Sequence, residues 1–126
     1  MNILIDSSIF IEHLRTFFPG KNTVLSHLIA KKYNLYFSMI TVGEVYSGES
    51  APADDKEIEE IFAMGNIVDM NYRLIKSAGE IRRKTHVSLI DAIIAATALE
   101  LDLTVATLNH KNFEKVKGLK LHKNKK

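Results

Sequence analysis

The feature that most constrains this chain is its alternation of short apolar runs with longer stretches of helical periodicity. Short apolar runs of this kind predict strands that are buried on both faces. The predicted strands are "NILI" (2–5), "LYFS" (35–38), "NIVDM" (66–70), "TVAT" (104–107) and "LKLH" (119–122). Strands that alternate with helices form parallel sheets covered on both faces. We therefore expect one α/β domain over residues 1–126, with a parallel sheet of four or five strands and helices on both faces.

Apolar residues at helical spacing predict the segments between the strands. The predicted helices cover residues 8–18, 22–33, 41–48, 56–64, 72–85 and 88–101. Pro19 and Gly20 end the first helix, and Thr41 opens the third. The segment "ESAPADD" (49–55) is predicted to be a loop.

Composition excludes several classes of protein. The chain has 126 residues with 46% hydrophobic residues and no Cys, so it lacks a disulfide framework and thiolate metal ligands. No apolar run approaches the roughly 18 residues of a membrane span, and the N-terminus does not resemble a signal peptide. We expect a cytoplasmic protein without a membrane partner. The net charge of +2 is concentrated in a basic, solvated tail at about residues 122–126.

The most apolar predicted helix carries a carboxylate in its first turn. From Ile90 to Leu101 the only polar residues are Asp91, Thr97 and Glu100, and a helix that is apolar nearly all round is normally buried. A structural explanation is available, because Ser88 as N-cap and Asp91 three residues later approximate a capping box.

Two more acids occupy comparable positions. Asp6 follows the first strand and Glu44 follows the second, and open α/β sheets bind ligands beyond the carboxyl ends of their strands. Asp6 could instead cap helix 8–18, and Glu44 could complete a capping box with Thr41. Converging carboxylates would raise one another's pKa, a conflict that an oxygen-binding cation such as Mg²⁺ removes.

Uncharged oxygen donors follow the strand at 104–107. Thr107 and Asn109 are predicted to lie at the same edge of the sheet as the acids. An ordinary turn residue is an equally good explanation of Asn109.

The sequence resembles PIN-domain ribonucleases, specifically the VapC toxins of type II toxin–antitoxin modules. The matching segments are "ILIDSSIFIE" (3–12), "FSMITVGEVYSGE" (37–49), "LIDAIIAATALELDLTVATLNHKNF" (89–113) and "VKGLKL" (116–121). The resemblance implies a Mg²⁺- or Mn²⁺-dependent endoribonuclease that hydrolyses RNA phosphodiester bonds. It implies that Asp6, Glu44 and Asp91 are the catalytic metal ligands. It further implies that Ser8 orients Asp6 or a water, and that Thr107 is the family's strand-end Thr.

The sequence departs from the family at a fourth acid. The family often has an Asp in the segment that matches "TLNHKNF", where this chain has Asn109 and Asn112. Many relatives resemble this chain in carrying Asn at the position of Asn109, and we expect Asn109 to be a weak metal ligand. An amide is a weak, neutral ligand, so a second metal ion would be held less tightly. The sequence does not decide which of the two amides takes this position.

Contacts to RNA phosphates are expected from cations near Asp91. Arg82, Arg83 and Lys84 precede the helix that carries this acid. The alternative is a solvated helix end, where cations interact favourably with the helix dipole.

The resemblance also implies two protein partners, an antitoxin and a second copy of the chain in a homodimer. An exposed apolar groove leading towards Asp6 and Asp91 would support this expectation. The candidate residues are Phe10, Phe17, Phe18, Val24, Leu25, Leu28, Ile29, Ile58, Ile61 and Phe62. The alternative is that all of them belong to the core.

Rival interpretations fit the sequence less well. A receiver domain needs an acidic pair after the first strand, and a haloacid-dehalogenase-type phosphatase needs Asp-x-Asp there. The segment "IDSS" offers one acid, Asp6. A PIN-like scaffold that binds RNA or protein without cleaving RNA remains the alternative function.

Overall fold

The computed structural model describes residues 1–16 and 22–124. Its strands are β1 (Asn2–Ile5), β2 (Asn34–Ser38), β3 (Asn66–Val68), β4 (Thr104–Ala106) and β5 (Lys120–Leu121). Its helices are α1 (Ser7–Arg15), α2 (Val24–Ala30), α3 (Met39–Tyr46), α4 (Ala51–Phe62), α5 (Tyr72–Thr85), α6 (Leu89–Leu101) and α7 (His110–Phe113).

All strands belong to one parallel sheet in the order β3-β2-β1-β4-β5. The central strand β1 is fully buried at Ile3, Leu4 and Ile5. Ile3 and Ile5 pack with residues of α1 to α4, whereas Leu4 packs with α6 and α7 on the other face. The predicted α/β fold, a parallel sheet with helices on both faces, is confirmed.

Helix α6 is buried along most of its length, as predicted. Every residue from Ala92 to Ala98 is buried, and the helix packs extensively against α5. Because α6 leads into β4, its C-terminus lies near the start of that strand. Its first turn, which carries Asp91, therefore lies towards the carboxyl edge of the sheet.

Two predictions about the middle of the chain are wrong. The predicted loop 49–55 is largely helical, because α4 begins at Ala51. Pro52 lies in its first turn, where proline costs no hydrogen bond and its fixed φ favours the helix. Helix α3 begins at Met39 with Ser38 as its N-cap, so Thr41 lies inside the helix and does not open it.

Other helix boundaries differ more modestly. Helix α1 ends at Arg15 and α2 covers Val24–Ala30, so both are shorter than predicted. Lys32 follows α2 with φ 58, which does not continue a right-handed helix. No helix in the described part of the chain is long and apolar enough to cross a membrane.

Most residues of the predicted apolar groove belong to the core instead. The buried residues are Phe10, Val24, Leu25, Leu28, Ile58, Ile61 and Phe62, and Ile29 is partly buried against them. Phe10 and Phe62 contribute to an aromatic cluster with ring centroids 4.7 Å apart. Phe17 and Phe18 lie outside the described residues. The expectation that these residues form an exposed patch is therefore wrong wherever the structure describes them.

Candidate active site

Asp6 is a buried carboxylate held at the end of β1. Its backbone N–H donates to Ala106 O at 3.0 Å, which joins it to β4. Its Oδ2 accepts hydrogen bonds of 2.8 Å from both Ser8 Oγ and Thr107 Oγ1, and the residue is only 2% exposed. Asp6 occupies the N-cap position of α1, but its side chain makes no capping hydrogen bond. Helix capping therefore does not explain this carboxylate.

Glu44 lies inside α3, half-buried, and does not take part in a capping box. Its Oε1 is buried and has no hydrogen-bond partner among the described residues. Burial raises the pKa of Glu44, and the charges of Asp6 and Asp91 raise that pKa further. A hydrogen bond with the Ser7 side chain acts in the opposite direction. An unpartnered buried carboxylate oxygen is costly, so its retention suggests a ligand.

Asp91 occupies the first turn of α6, half-buried. Its backbone N–H donates to Ser88 Oγ at 3.1 Å, which confirms Ser88 as the N-cap. Burial raises the pKa of the Asp91 carboxyl, and the charge of Asp6 adds to this effect. Hydrogen bonds with the side chains of Ser88 and Asn112 lower it. The backbone N–H of Asp91 thus takes part in the N-terminal cap of α6, while the charge of Asp6 raises the pKa of its side chain.

The structure brings the three acids within electrostatic range of one another, although they lie on three elements. In residues 1–16 and 22–124, no group of three or more Asp, Glu, His or Cys side chains has a ready-made metal-binding arrangement.

The two candidate amides differ in their contacts. Asn109 is the exposed N-cap residue of α7, and its side chain makes no capping hydrogen bond. The side-chain amide of Asn112, one turn further on, interacts with the Asp91 carboxyl and lowers its pKa. Of the two amides, Asn112 is therefore the one that the structure places against an acid of the cluster.

The loop after β4 is tied to the start of α1. Leu108 N donates to Ser8 Oγ at 3.0 Å, and Asn109 N donates to Thr107 Oγ1 at 3.0 Å. The same two hydroxyls donate to Asp6. Ser8 and Thr107 therefore both donate to Asp6, and their supporting role in catalysis stays a prediction.

Comparison with known proteins identifies the family. The model of the PIN domain matches residues 3–119. The chain belongs to the PIN-domain family. Ribonuclease VapC10 of Mycobacterium tuberculosis is 29% identical over 123 residues, which cover 94% of this chain and 90% of that protein.

Solved structures share the PIN fold at low sequence identity. VapBC-1 from nontypeable Haemophilus influenzae has a TM-score of 0.78 at 20% identity and covers 100% of both chains. A toxin–antitoxin complex from Klebsiella pneumoniae has a TM-score of 0.75 at 24% identity, covering 93% of this chain and 94% of that chain. The family predicted from the sequence is confirmed.

The predicted phosphate-binding cations lie in the last turn of α5 of this PIN domain. Arg82 Nη1 donates to Val87 O at 3.0 Å, so this guanidinium supports the turn before Ser88. Arg82 and Arg83 line an open cavity of about 400 Å³. Lys84 lines a different cavity, between α5 and α6. No described contact joins these cations to the acids, and their role in binding RNA stays a prediction.

Two grooves approach the acids of the PIN domain along α1. One, of about 590 Å³, is lined by Ser8, Leu108 and Asn109 among others. The second, of about 400 Å³, includes Glu44. Ile11 and Arg15 line both grooves. Open grooves therefore lie on two sides of this helix.

The C-terminal residues contain a contact that the sequence analysis missed. His122 N donates to Val105 O at 2.8 Å, and the Asn124 amide contacts Thr107 and His110. The prediction of a solvated tail over 122–126 is wrong at these two residues, and residues 125–126 lie outside the described range. An Asn near a basic terminus gives no pattern from which this contact could be predicted.

Proposed function

We propose that this PIN-domain protein is a divalent-metal-dependent endoribonuclease that hydrolyses phosphodiester bonds in RNA. The observation that carries the proposal is the placement of Glu44 and Asp91. Both are half-buried, and the charge of Asp6 raises the pKa of each carboxyl. Clusters of perturbed carboxylates occur preferentially at functional sites.

The residues present fit a hard divalent cation. Mg²⁺ and Mn²⁺ prefer oxygen ligands, and the Asp6, Glu44 and Asp91 side chains supply carboxylates. Glu44 Oε1 is buried without a partner among the described residues. The hydrogen bonds from Ser8 and Thr107 reach only Oδ2 of Asp6, so Oδ1 accepts none of the described bonds. These oxygens are the candidate ligands.

Each residue then has a definite task. A bound divalent cation would activate water and stabilise charge on the phosphate oxygens. Ser8 and Thr107 orient Asp6, and the Asn112 amide favours the ionised form of Asp91. Asn112 is a better candidate than Asn109 for the family's fourth position because of this contact. Arg82, Arg83 and Lys84 are proposed to bind RNA phosphates, which would supply affinity without sequence specificity.

The biological role is proposed from the relatives. The curated relative is named a ribonuclease, and solved neighbours include VapBC and toxin–antitoxin complexes. We infer that this chain is the toxin of such a pair, acting on RNA in the cytoplasm, with an antitoxin protein as its partner. A homodimer remains part of the proposal.

The second candidate is a PIN-like scaffold that binds RNA or protein. It is favoured by Asn109 and Asn112, two amides in the segment for which the family resemblance implies a fourth acid. On this account the acids would not engage a metal ion, and RNA would bind without being cut.

The test is cleavage of total bacterial RNA by the purified chain with Mg²⁺, with Mn²⁺ and with EDTA. The proposal predicts cleavage that EDTA abolishes, at discrete positions identified by sequencing the new 5′ ends. RNA that binds in EDTA and stays intact when either metal is added would favour the scaffold.

A further inference from the structure

The Asn124 side chain makes an unusual pair of contacts. Its Nδ2 donates to the backbone carbonyl of Thr107 and lies 3.1 Å from His110 Nε2. An amide nitrogen carries two protons and accepts no hydrogen bond, so His110 Nε2 must be the acceptor. One amide group therefore joins the first residue after β4 to the first residue of α7.

The backbone of Asn124 also favours this residue type. Its φ is 57, in the left-handed region, where Asn is among the few residues found readily. Its N–H donates to His122 Nδ1 at 2.9 Å. His122 N in turn donates to Val105 O, so Asn124 is anchored to the sheet through β4.

Asn124 contacts the same segment that orients Asp6, the candidate catalytic acid. Thr107 Oγ1 donates to Asp6 Oδ2 at 2.8 Å, and Leu108 N donates to Ser8 Oγ at 3.0 Å. His110 is the first residue of α7, the helix that contains Asn112, whose side chain interacts with Asp91. Asn124 thus contacts both ends of the short loop between Thr107 and α7.

We infer that Asn124 is a positioning residue, which holds the Thr107–His110 loop in the geometry that orients Asp6. Its effect on catalysis rests on the proposed function, but its effect on the loop does not. Asn124→Asp keeps the side-chain shape and tolerates the left-handed backbone, but replaces both amide protons with an acceptor. Asn124→Gly keeps the backbone freedom and removes the side chain. Lys123→Ala, at an exposed neighbour, is the matched control.

The first readout is amide hydrogen exchange in the metal-free protein. The Leu108 and Asn109 amides should exchange about tenfold faster in both Asn124 variants, as expected for the loss of one net hydrogen bond. The Phe37 and Ile94 amides should not change, and Lys123→Ala should match the unmodified chain. Unchanged exchange at Leu108 and Asn109 would overturn the inference, as would equal acceleration at all four amides.

The second readout is RNA cleavage by the same preparations. We expect kcat to fall by roughly 10–100-fold in both Asn124 variants, as for residues that orient a ligand, with KM for RNA unchanged. Faster loop exchange with an unchanged kcat would overturn the positioning role. If the unmodified chain cuts no RNA, the proposed function fails, and the exchange data alone decide whether Asn124 holds the loop.

Discussion

Thr107 Oγ1 donates a hydrogen bond of 2.8 Å to Asp6 Oδ2, although 101 residues separate them in the sequence. The bond joins the ends of two neighbouring parallel strands and involves a carboxylate that is 2% exposed. Together with Ser8, it fixes the most buried of the three acids.

Replacing Thr107 with Val should therefore weaken both stability and activity. The buried carboxylate would lose one of its donors, at a cost of about 1–3 kcal/mol in the free energy of unfolding. Mn²⁺ affinity and cleavage rate should each fall by roughly 10–100-fold. Urea unfolding and calorimetric titration measure these effects. Thr104→Val, at the start of β4, is the control and should change neither stability nor activity. Equal effects from the two substitutions would refute the specific role of Thr107.

Asp91→Asn and Ser88→Ala should separate catalysis from helix capping. Ser88 Oγ accepts from the backbone N–H of Asp91, so Asp91→Asn leaves that bond intact. In EDTA near neutral pH we expect this variant to be at least as stable as the unmodified chain, because the raised pKa marks an unfavourable Asp91 charge. We also expect it to lose roughly 10²-fold or more in cleavage rate. Ser88→Ala should instead lose about 0.5–2 kcal/mol of stability. A severe loss of stability in Asp91→Asn with normal cleavage would support a purely structural Asp91.

The raised pKa values of Glu44 and Asp91 predict an unusual pH dependence in the metal-free protein. Because the folded-state pKa lies above the ordinary values of 4.5 and 3.8, the folded state binds more protons in the window above them. The contribution of these two acids to stability therefore falls as pH rises through that window.

Glu44→Gln removes one of these contributions. In EDTA it should be at least as stable as the unmodified chain, with an advantage that grows as pH rises above 4.5, the ordinary pKa of this carboxyl. Urea unfolding across this range provides the measurement. If the unmodified chain were more stable than Glu44→Gln at neutral pH, the Glu44 charge would not be unfavourable in the folded state, and this prediction would be wrong.

The packing at β3 predicts the effect of adding a single methyl group. A Cβ at Gly65 would lie 2.5 Å from Leu35 O and 2.9 Å from Phe37 Cε2. Gly65→Ala should therefore cost about 1–3 kcal/mol. Gly79→Ala, where a Cβ meets nothing within 4 Å, should stabilise α5 by about 0.5–1 kcal/mol. If the two variants unfolded at the same denaturant concentration, the tight packing of residue 65 against β2 would be contradicted.

Features set by local chemistry could be predicted from the sequence. The bounds of α5, Tyr72–Thr85, follow from apolar spacing, and the Ser88 cap follows from the residue type before an apolar run. The proximity of Asp6 and Thr107 also follows from the sequence, because neighbouring parallel strands have their carboxyl ends at one edge of the sheet.

Features set by tertiary contacts could not be predicted in this way. Thr41 and Ser38 are both acceptable caps, and the end of β2 decides in favour of Ser38. Whether Asn109 or Asn112 faces Asp91 depends on how α7 is placed against α6. Phe10 is core because Phe37 and Phe62 surround it, and neither is adjacent in sequence.

Mn²⁺ binding and RNA cleavage, measured on the same preparations, test the central claim most directly. The unmodified chain should bind Mn²⁺ and cut RNA, and Asp6→Asn should lose roughly 10²-fold or more in cleavage rate and bind Mn²⁺ more weakly. Asp102→Asn, at an exposed carboxylate paired with Lys120, should behave like the unmodified chain. Cleavage that survives Asp6→Asn, or RNA binding by the unmodified chain without any Mn²⁺ binding or cleavage, would contradict a metal-dependent ribonuclease built on these acids.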